Sequence, residues 1–169
     1  MKTTIPHTGV TALAQITNNT TRWIGHRKND NQSIATGQTF TATSNCQLKN
    51  IEVYSNLVTR PGEITMTLHS FDPIQKSWGP VLNRTCVDVD HENNDKWIPF
   101  DMEGTQLSQG MCYGFKIESA EAYMGVGEAA GGVETPPYVE GQEWEFTNNN
   151  QQGSSYSYFS LAFKVDAKY

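Results

Sequence analysis

Large aromatic side chains with amide neighbours are the first residues in this sequence whose types and spacing suggest binding chemistry. They lie in or beside polar, loop-like segments: Trp78, Tyr138, Trp144, Tyr156 and Asn148. Aromatic rings stack on flat C–H surfaces such as those of sugars, and amides hydrogen-bond to hydroxyl groups. Trp144 and Phe146 are two residues apart, so they would share one strand face, which is also typical of a core strand. Trp23 and Trp97 lie within predicted strands and are expected in the core.

A run of acidic residues is the second candidate site. Its carboxylates are closely spaced along the chain: Asp88, Asp90, Glu92 and Asp95. Oxygen ligands two residues apart can wrap a calcium ion, so calcium is the cofactor that this run suggests. The EF-hand pattern fails, because Asn93 stands where its turn glycine belongs and Pro99 where its bidentate glutamate belongs. A solvated hairpin loop with no cofactor is the favoured interpretation.

Two carboxylates, Glu143 and Glu145, have a spacing that suggests catalysis. On a strand both would point to one face with their Cα atoms about 6.5–7 Å apart. Carboxyl groups at such separations can act as acid and base in glycoside hydrolysis. Any solvent-facing side of a strand produces the same spacing, so a non-catalytic role is favoured. The histidines are scattered and form no metal-binding motif: His7, His26, His69 and His91.

The bulk composition narrows the class of partner. The formal net charge is −6 and the only basic cluster is short, at residues 22–28, which excludes a nucleic-acid partner. No run of about 18 apolar residues predicts a membrane-spanning helix. Residues 3–8 lack the apolar core of a signal peptide. The three cysteines, Cys46, Cys86 and Cys112, are far apart and are expected to be buried thiols, with one disulfide as the alternative.

The elements that must position these residues show a hydrophobic period of two. Apolar and non-apolar residues alternate over 64–68 and 113–117, and the run 159–165 follows the same spacing. This is the pattern of half-buried strands. Weaker strand candidates are residues 10–17, 22–26, 37–43, 48–55, 81–87, 97–101, 122–126 and 142–147. Turn signals separate the candidates at intervals of roughly 8–12 residues, as in sandwiches.

Two segments complete the predicted organisation of one domain over residues 1–169. Residues 1–35 are an N-terminal extension with the first strands, and residues 128–141 are a long loop. Residues 148–153 are expected to be a turn. Long loops in compact domains are often functional. The predicted fold class is all-β: an antiparallel two-sheet β-sandwich, jelly-roll-like, with binding residues on its loops or its concave face.

Short motifs in these strands resemble those of bacterial extracellular jelly-roll modules. They are GQTFTAT at 37–43, LKNIEVY at 48–54, EITMTL at 63–68, LSQGMCY at 107–113, PY at 137–138 and FSLAFKV at 159–165. The similarity spans about residues 35–167 and involves mostly core and turn positions. Such modules are similar to carbohydrate-binding domains and accompany secreted glycosidases or surface proteins. The resemblance therefore implies an accessory or adhesive role outside the cell or at its surface.

The predicted function is that of a non-catalytic binding module for a glycan or another cell-surface polymer. Unlike the modules it resembles, the chain has extra residues ahead of Gly37 and no attached catalytic domain. This departure leaves open a structural or assembly protein, such as a virion component, that packs as a homo-oligomer. A small glycan hydrolase or lyase built on Glu143 and Glu145 is the second alternative.

Overall fold

Fourteen antiparallel strands make up most of the computed structural model, which describes residues 9–168. The strands are β1 (Val10–Gln15), β2 (Thr20–Arg27), β3 (Gln32–Thr41), β4 (Cys46–Arg60), β5 (Gly62–Asp72), β6 (Ser77–Val89), β7 (Lys96–Asp101), β8 (Gln106–Leu107), β9 (Cys112–Glu118), β10 (Tyr123–Ala130), β11 (Glu143–Thr147), β12 (Asn150–Tyr156), β13 (Phe159–Leu161) and β14 (Phe163–Lys168). A short 3-10 helix, His91–Asn93, follows β6, and the described part of the chain contains no α-helix. The all-β prediction is confirmed. Within residues 9–168, no helix has the length and apolar character needed to span a membrane.

The strands form one continuous sheet that curls back on itself. Its neighbours follow the order β1-β14-β4-β10-β2-β3-β9-β5-β6, and the shorter strands join this path at β4, β10 and β3. Phe163 of β14 contacts Phe40 of β3 and Phe115 of β9, with ring centroids 6.3 and 5.7 Å apart. Strand β14 is far from β3 and β9 in the strand order, so the two halves of the sheet face each other. This is the predicted antiparallel sandwich.

The alternating runs supply the centre of the core, as the sequence predicts. Their inward side chains are buried: Ile64, Met66, Leu68, Tyr113, Phe115, Ile117, Leu161, Phe163 and Val165. The last run pairs with two strands in succession. At Ala162 it passes from β10 to β4, since its N–H donates to Gly127 O at 2.8 Å and its carbonyl accepts from Tyr54 N–H at 3.3 Å. The run therefore lies beside two strands that also pair with each other.

Trp23 and Trp97 lie outside the core, contrary to the prediction from sequence. Their chain neighbours Ile24 and Ile98 point inward and are buried, so the tryptophans point outward and are half-buried. Trp23 stacks on Tyr123 with ring centroids 5.2 Å apart. A Cβ atom at Gly125 would lie 3.3 Å from the Trp23 ring and closer still to Thr21. The outer face of β2 and β10 therefore requires a glycine at position 125.

Three further expectations need correction. The loop predicted from residue 128 begins after Ala130, because Glu128, Ala129 and Ala130 pair with β13. The turn predicted at 148–153 is confined to the two residues between β11 and β12, since Thr147 pairs with Asn150. Cys86 is exposed and all three cysteines are free thiols, so only Cys46 is buried as expected. Long-range strand pairing decides the first two cases, and no local motif encodes it.

Replacing Phe163 with alanine is expected to lower the free energy of unfolding by about 3–5 kcal/mol, because it removes the ring that joins the two layers. Urea denaturation followed by tryptophan fluorescence measures this loss. Val10→Ala, at an exposed position of β1, is the control and should change stability by less than about 0.5 kcal/mol. Equal effects of the two substitutions would contradict the sandwich packing.

Candidate functional site

An open groove runs along the outer face of strands β9, β5 and β6, on the side away from the core. Its floor consists of rows of residues that pair across neighbouring strands. One row is Lys116, Thr67 and Arg84, and the next is Glu118, Thr65 and Cys86. Glu63 and Asp88 form the following row. Each of these residues alternates with an inward side chain of the core, so the polar floor is the reverse side of the hydrophobic layer.

The hairpin of β11 and β12 forms one wall of this outer-face groove. Two adjoining cavities of about 860 and 500 Å³ share Lys116, Phe146 and Gln151 in their lining. The larger cavity also reaches Asn148 at the hairpin turn, and the smaller one ends at Trp78. Both volumes fall in the range of ligand-binding clefts.

Trp78 lies across the floor at one end of the groove, and two glycines make room for it. A Cβ atom at Gly114 would lie 2.5 Å from the Trp78 ring, and one at Gly37 would lie 3.0 Å from it. Any side chain at Gly114 would displace the indole. These glycines are functional positions that sequence reasoning missed. The signal in the sequence was a glycine within a predicted strand, which often marks a place where another group comes close to the backbone.

An aromatic cluster holds Trp78 in place. Its ring meets four others edge to face, at centroid distances of 5.5 to 5.7 Å for Phe71, Trp144 and Phe146 and 5.4 Å for His69. Trp144 is only 4% exposed. It therefore supports Trp78 and Phe146 from beneath and does not present the free platform expected from the sequence.

The structure brings together three of the five predicted ligand-binding residues. Trp78, Trp144 and Asn148 belong to the groove or its support, and Asn148 Oδ1 accepts from Ser33 N–H at 3.2 Å. Tyr138 lies elsewhere. Its ring packs against Phe163 at a centroid distance of 5.4 Å, beside a separate cavity of about 300 Å³. Burial raises the pKa of Tyr138 to about 12.

The acidic run that suggests calcium is divided by the fold. Asp88 faces the groove, whereas Asp90 caps the short 3-10 helix and accepts from Glu92 N–H at 2.8 Å. Glu92 and Asp95 are exposed. Across residues 9–168, no three His, Cys, Asp or Glu side chains are grouped to hold a metal ion, and His7 lies outside that range. Calcium binding stays the alternative that the sequence raised beside the favoured solvated loop.

A buried charge cluster lies on the opposite side of the same hairpin. Arg22 of β2 contacts three carboxylates: Glu128 at 2.8 Å, Glu143 at 2.9 Å and Glu145 at 2.7 Å. The rings of Tyr156 and Phe159 lie 5.7 and 5.3 Å from its guanidinium carbon. Tyr156 thus covers this Arg22 cluster and is not part of the groove. The cluster ties β11 to β2 and β10.

The Arg22 cluster holds more carboxyl groups around one guanidinium than can all lose their protons. Burial raises the pKa of Glu143 to about 10, and the neighbouring Glu128 adds to the shift. Glu143 is therefore a neutral acid at pH 7 and can share its proton with Glu128. Burial alone lowers the pKa of Arg22, but attraction to Glu143 and Glu128 outweighs it and raises that pKa. The guanidinium stays charged.

Glu143 and Glu145 lie on one side of the strand, as the sequence predicts. Both carboxyl groups contact the Arg22 guanidinium. Glu143 is fully buried, and neither carboxyl group lines the groove. Their geometry accounts for anchoring of the hairpin. Catalysis by this pair stays an alternative that the sequence raised and did not favour.

A scan against models of protein families and a search of curated proteins found no match to this chain. The resemblance to jelly-roll modules therefore rests on the sequence motifs alone and stays a prediction.

Glu143 predicts a specific pH dependence of stability. Its pKa is about 10 in the folded protein against an ordinary value of 4.5, so the folded state binds one more proton between these values. The free energy of unfolding should therefore fall as the pH rises through this window. The contribution is fully present below about pH 4.5 and is lost as the pH passes about 10.

Glu143→Gln, which keeps the neutral form, should remove this slope and gain stability relative to the parent as the pH rises. Urea denaturation at a series of pH values measures the difference. Glu145→Gln is the matched control and should retain the slope, since Glu145 is partly exposed. A constant difference between parent and Glu143→Gln over about pH 5–10 would mean that Glu143 is ionised in the fold.

Proposed function

We propose that the protein binds a glycan chain in the outer-face groove. The observation that carries this proposal is an open, polar cleft that ends on the Trp78 ring. From Glu63 to His69 the floor spans seven residues of β5, or about 20 Å, which suits several units of an extended polymer. An open cleft of this kind admits the middle of a chain and does not require a free end.

The lining chemistry favours hydroxyl-rich ligands over apolar ones. Thr65, Thr67 and Ser33 offer hydroxyl groups, and Asn148 and Gln151 offer amides. These groups exchange hydrogen bonds with sugar hydroxyls. The half-buried Trp78 ring supplies an apolar surface at one end, and the smaller cavity opens beside it.

Thr65→Trp tests the groove directly, because the indole would stand on the floor at its centre. Tryptophan is well tolerated in strands, so the fold should survive. We expect the affinity for a bound polysaccharide to fall at least about tenfold, measured by affinity electrophoresis against a polysaccharide panel followed by calorimetry.

Thr11→Trp is the matched control. Thr11 lies on β1, the edge strand at the opposite end of the strand order, and its side chain is exposed. Full affinity in Thr65→Trp, or equal losses in both variants, would refute binding in the groove.

A second candidate function, assembly of the chain into a homo-oligomer, is favoured by strand β6. It ends the strand order and has thirteen residues, with Val81 53% and Leu82 44% exposed. A long edge strand with apolar side chains is a template for pairing with a second copy. The neighbouring Pro80 limits such pairing to the segment that follows it.

Light scattering coupled to size exclusion tests this alternative. Assembly through β6 predicts a dimer that Leu82→Lys converts to a monomer, because a buried unpaired ammonium is costly at an interface. Leu57→Lys is the control, since Leu57 is 41% exposed on β4, which is paired within the sheet. A monomeric parent protein would reject the β6 dimer.

A further inference from the structure

The two ends of the groove have opposite charge. The cavity at Trp78 is lined by Lys76, Lys116 and His69, and no carboxylate is among its lining residues. The far end of the larger cavity gathers four acidic side chains: Glu63, Asp88, Glu118 and Glu121. A ligand that spans the groove therefore meets positive potential beside Trp78 and negative potential from the row of Thr65 onward.

Among the described residues, three cations along the groove take part in no ion pair. None of the ion pairs among residues 9–168 includes Lys76, Arg84 or Lys116. Lys116 is half-buried, and its ammonium lies 4.6 Å from the centroid of the Phe146 ring. A half-buried ammonium without a counter-ion gains more from an anionic ligand than an exposed one does.

Strand register fixes the spacing of two of these cations. Thr67 pairs with Lys116 on one side and Arg84 on the other. Two strand spacings separate their Cα atoms, or about 9.5 Å, and both side chains point into the groove. His69 is held beside them, because its ring nitrogens bond to Gly79 O at 3.0 Å and Thr67 Oγ1 at 2.9 Å. An anionic group above Thr67 would be reached from both flanks.

We propose that the groove recognises an acidic glycan, with the carboxylate or sulfate of one sugar unit held between Lys116 and Arg84 beside Trp78. This inference rests on the proposed function, and it names the ligand class of the same site. The acidic far end repels a second anionic group, so the favoured glycan carries its charged units spaced by uncharged ones. The charge separation also sets the direction in which the chain lies.

Paired polysaccharides test the proposal with the intact protein. The carboxylate arm compares binding of unsulfated chondroitin with binding of its carboxyl-reduced form. In unsulfated chondroitin the uronic acids alternate with neutral N-acetyl sugars. The sulfate arm is carboxyl-reduced chondroitin sulfate against the same neutral form. A polygalacturonate, with contiguous carboxylates, completes the panel, and dextran and xylan are its neutral members.

We expect at least one acidic form with spaced charges to bind about tenfold or more tightly than its neutral counterpart at low salt. Binding should weaken as salt is added. Lys116→Met should reduce the acidic form to the affinity of the neutral one. Lys164→Met is the matched control, because the Lys164 ammonium likewise lies over an aromatic ring, 4.2 Å from the Trp97 centroid, outside the groove. It should keep full affinity.

The outcomes separate this proposal from the proposed function. Equal binding of neutral and acidic forms, abolished by Thr65→Trp, would overturn the anionic preference and support binding in the groove. Tightest binding to polygalacturonate would overturn the requirement for spaced charges. Binding to no member of the panel, neutral or acidic, would reject both proposals for this groove.

Discussion

The contact between one guanidinium and three carboxylates is the interaction on which the rest of the site depends. Arg22 stands on β2 and reaches Glu128 on β10 and both glutamates of β11. Because one proton remains on Glu143, the cluster avoids the full repulsion of three ionised carboxylates. The hairpin of β11 and β12 is therefore held against β2 and β10, in addition to the pairing of β11 with β3. Its other side is the wall of the outer-face groove.

The two sides of that hairpin make different contacts, because successive side chains on a strand point to opposite faces. Glu143 and Glu145 point toward Arg22, whereas Trp144 and Phe146 point toward Trp78. The aromatic contacts on one side and the ion pairs on the other act on the same five residues. Both sets of contacts therefore hold the groove wall in place. The small residues beneath Trp78 complete the arrangement, since the indole lies where side chains at Gly37 and Gly114 would be.

Charge is used in opposite ways on the two sides of the sheet. In the Arg22 cluster, one guanidinium contacts three carboxyl groups and holds β11 against β2 and β10. In the groove, Lys116 and Arg84 have no ion pair among the described residues, and the acidic side chains gather at the other end. Paired charges of the first kind contribute to a unique structure. Unpaired charges of the second kind are available to a ligand, so the anionic preference is proposed for the groove.

The sequence by itself determined the all-β class and the inward faces of β5, β9 and β14, because alternation along a strand is a local property of the chain. It also singled out Trp78, Trp144, Glu143 and Glu145. Only the tertiary structure decided what these residues do. Glu143 is neutral because it is buried beside Glu128, fifteen positions upstream, and these effects outweigh the opposing attraction of Arg22, more than a hundred positions upstream. Strand register and burial depend on pairings across the whole chain, and no local spacing records them.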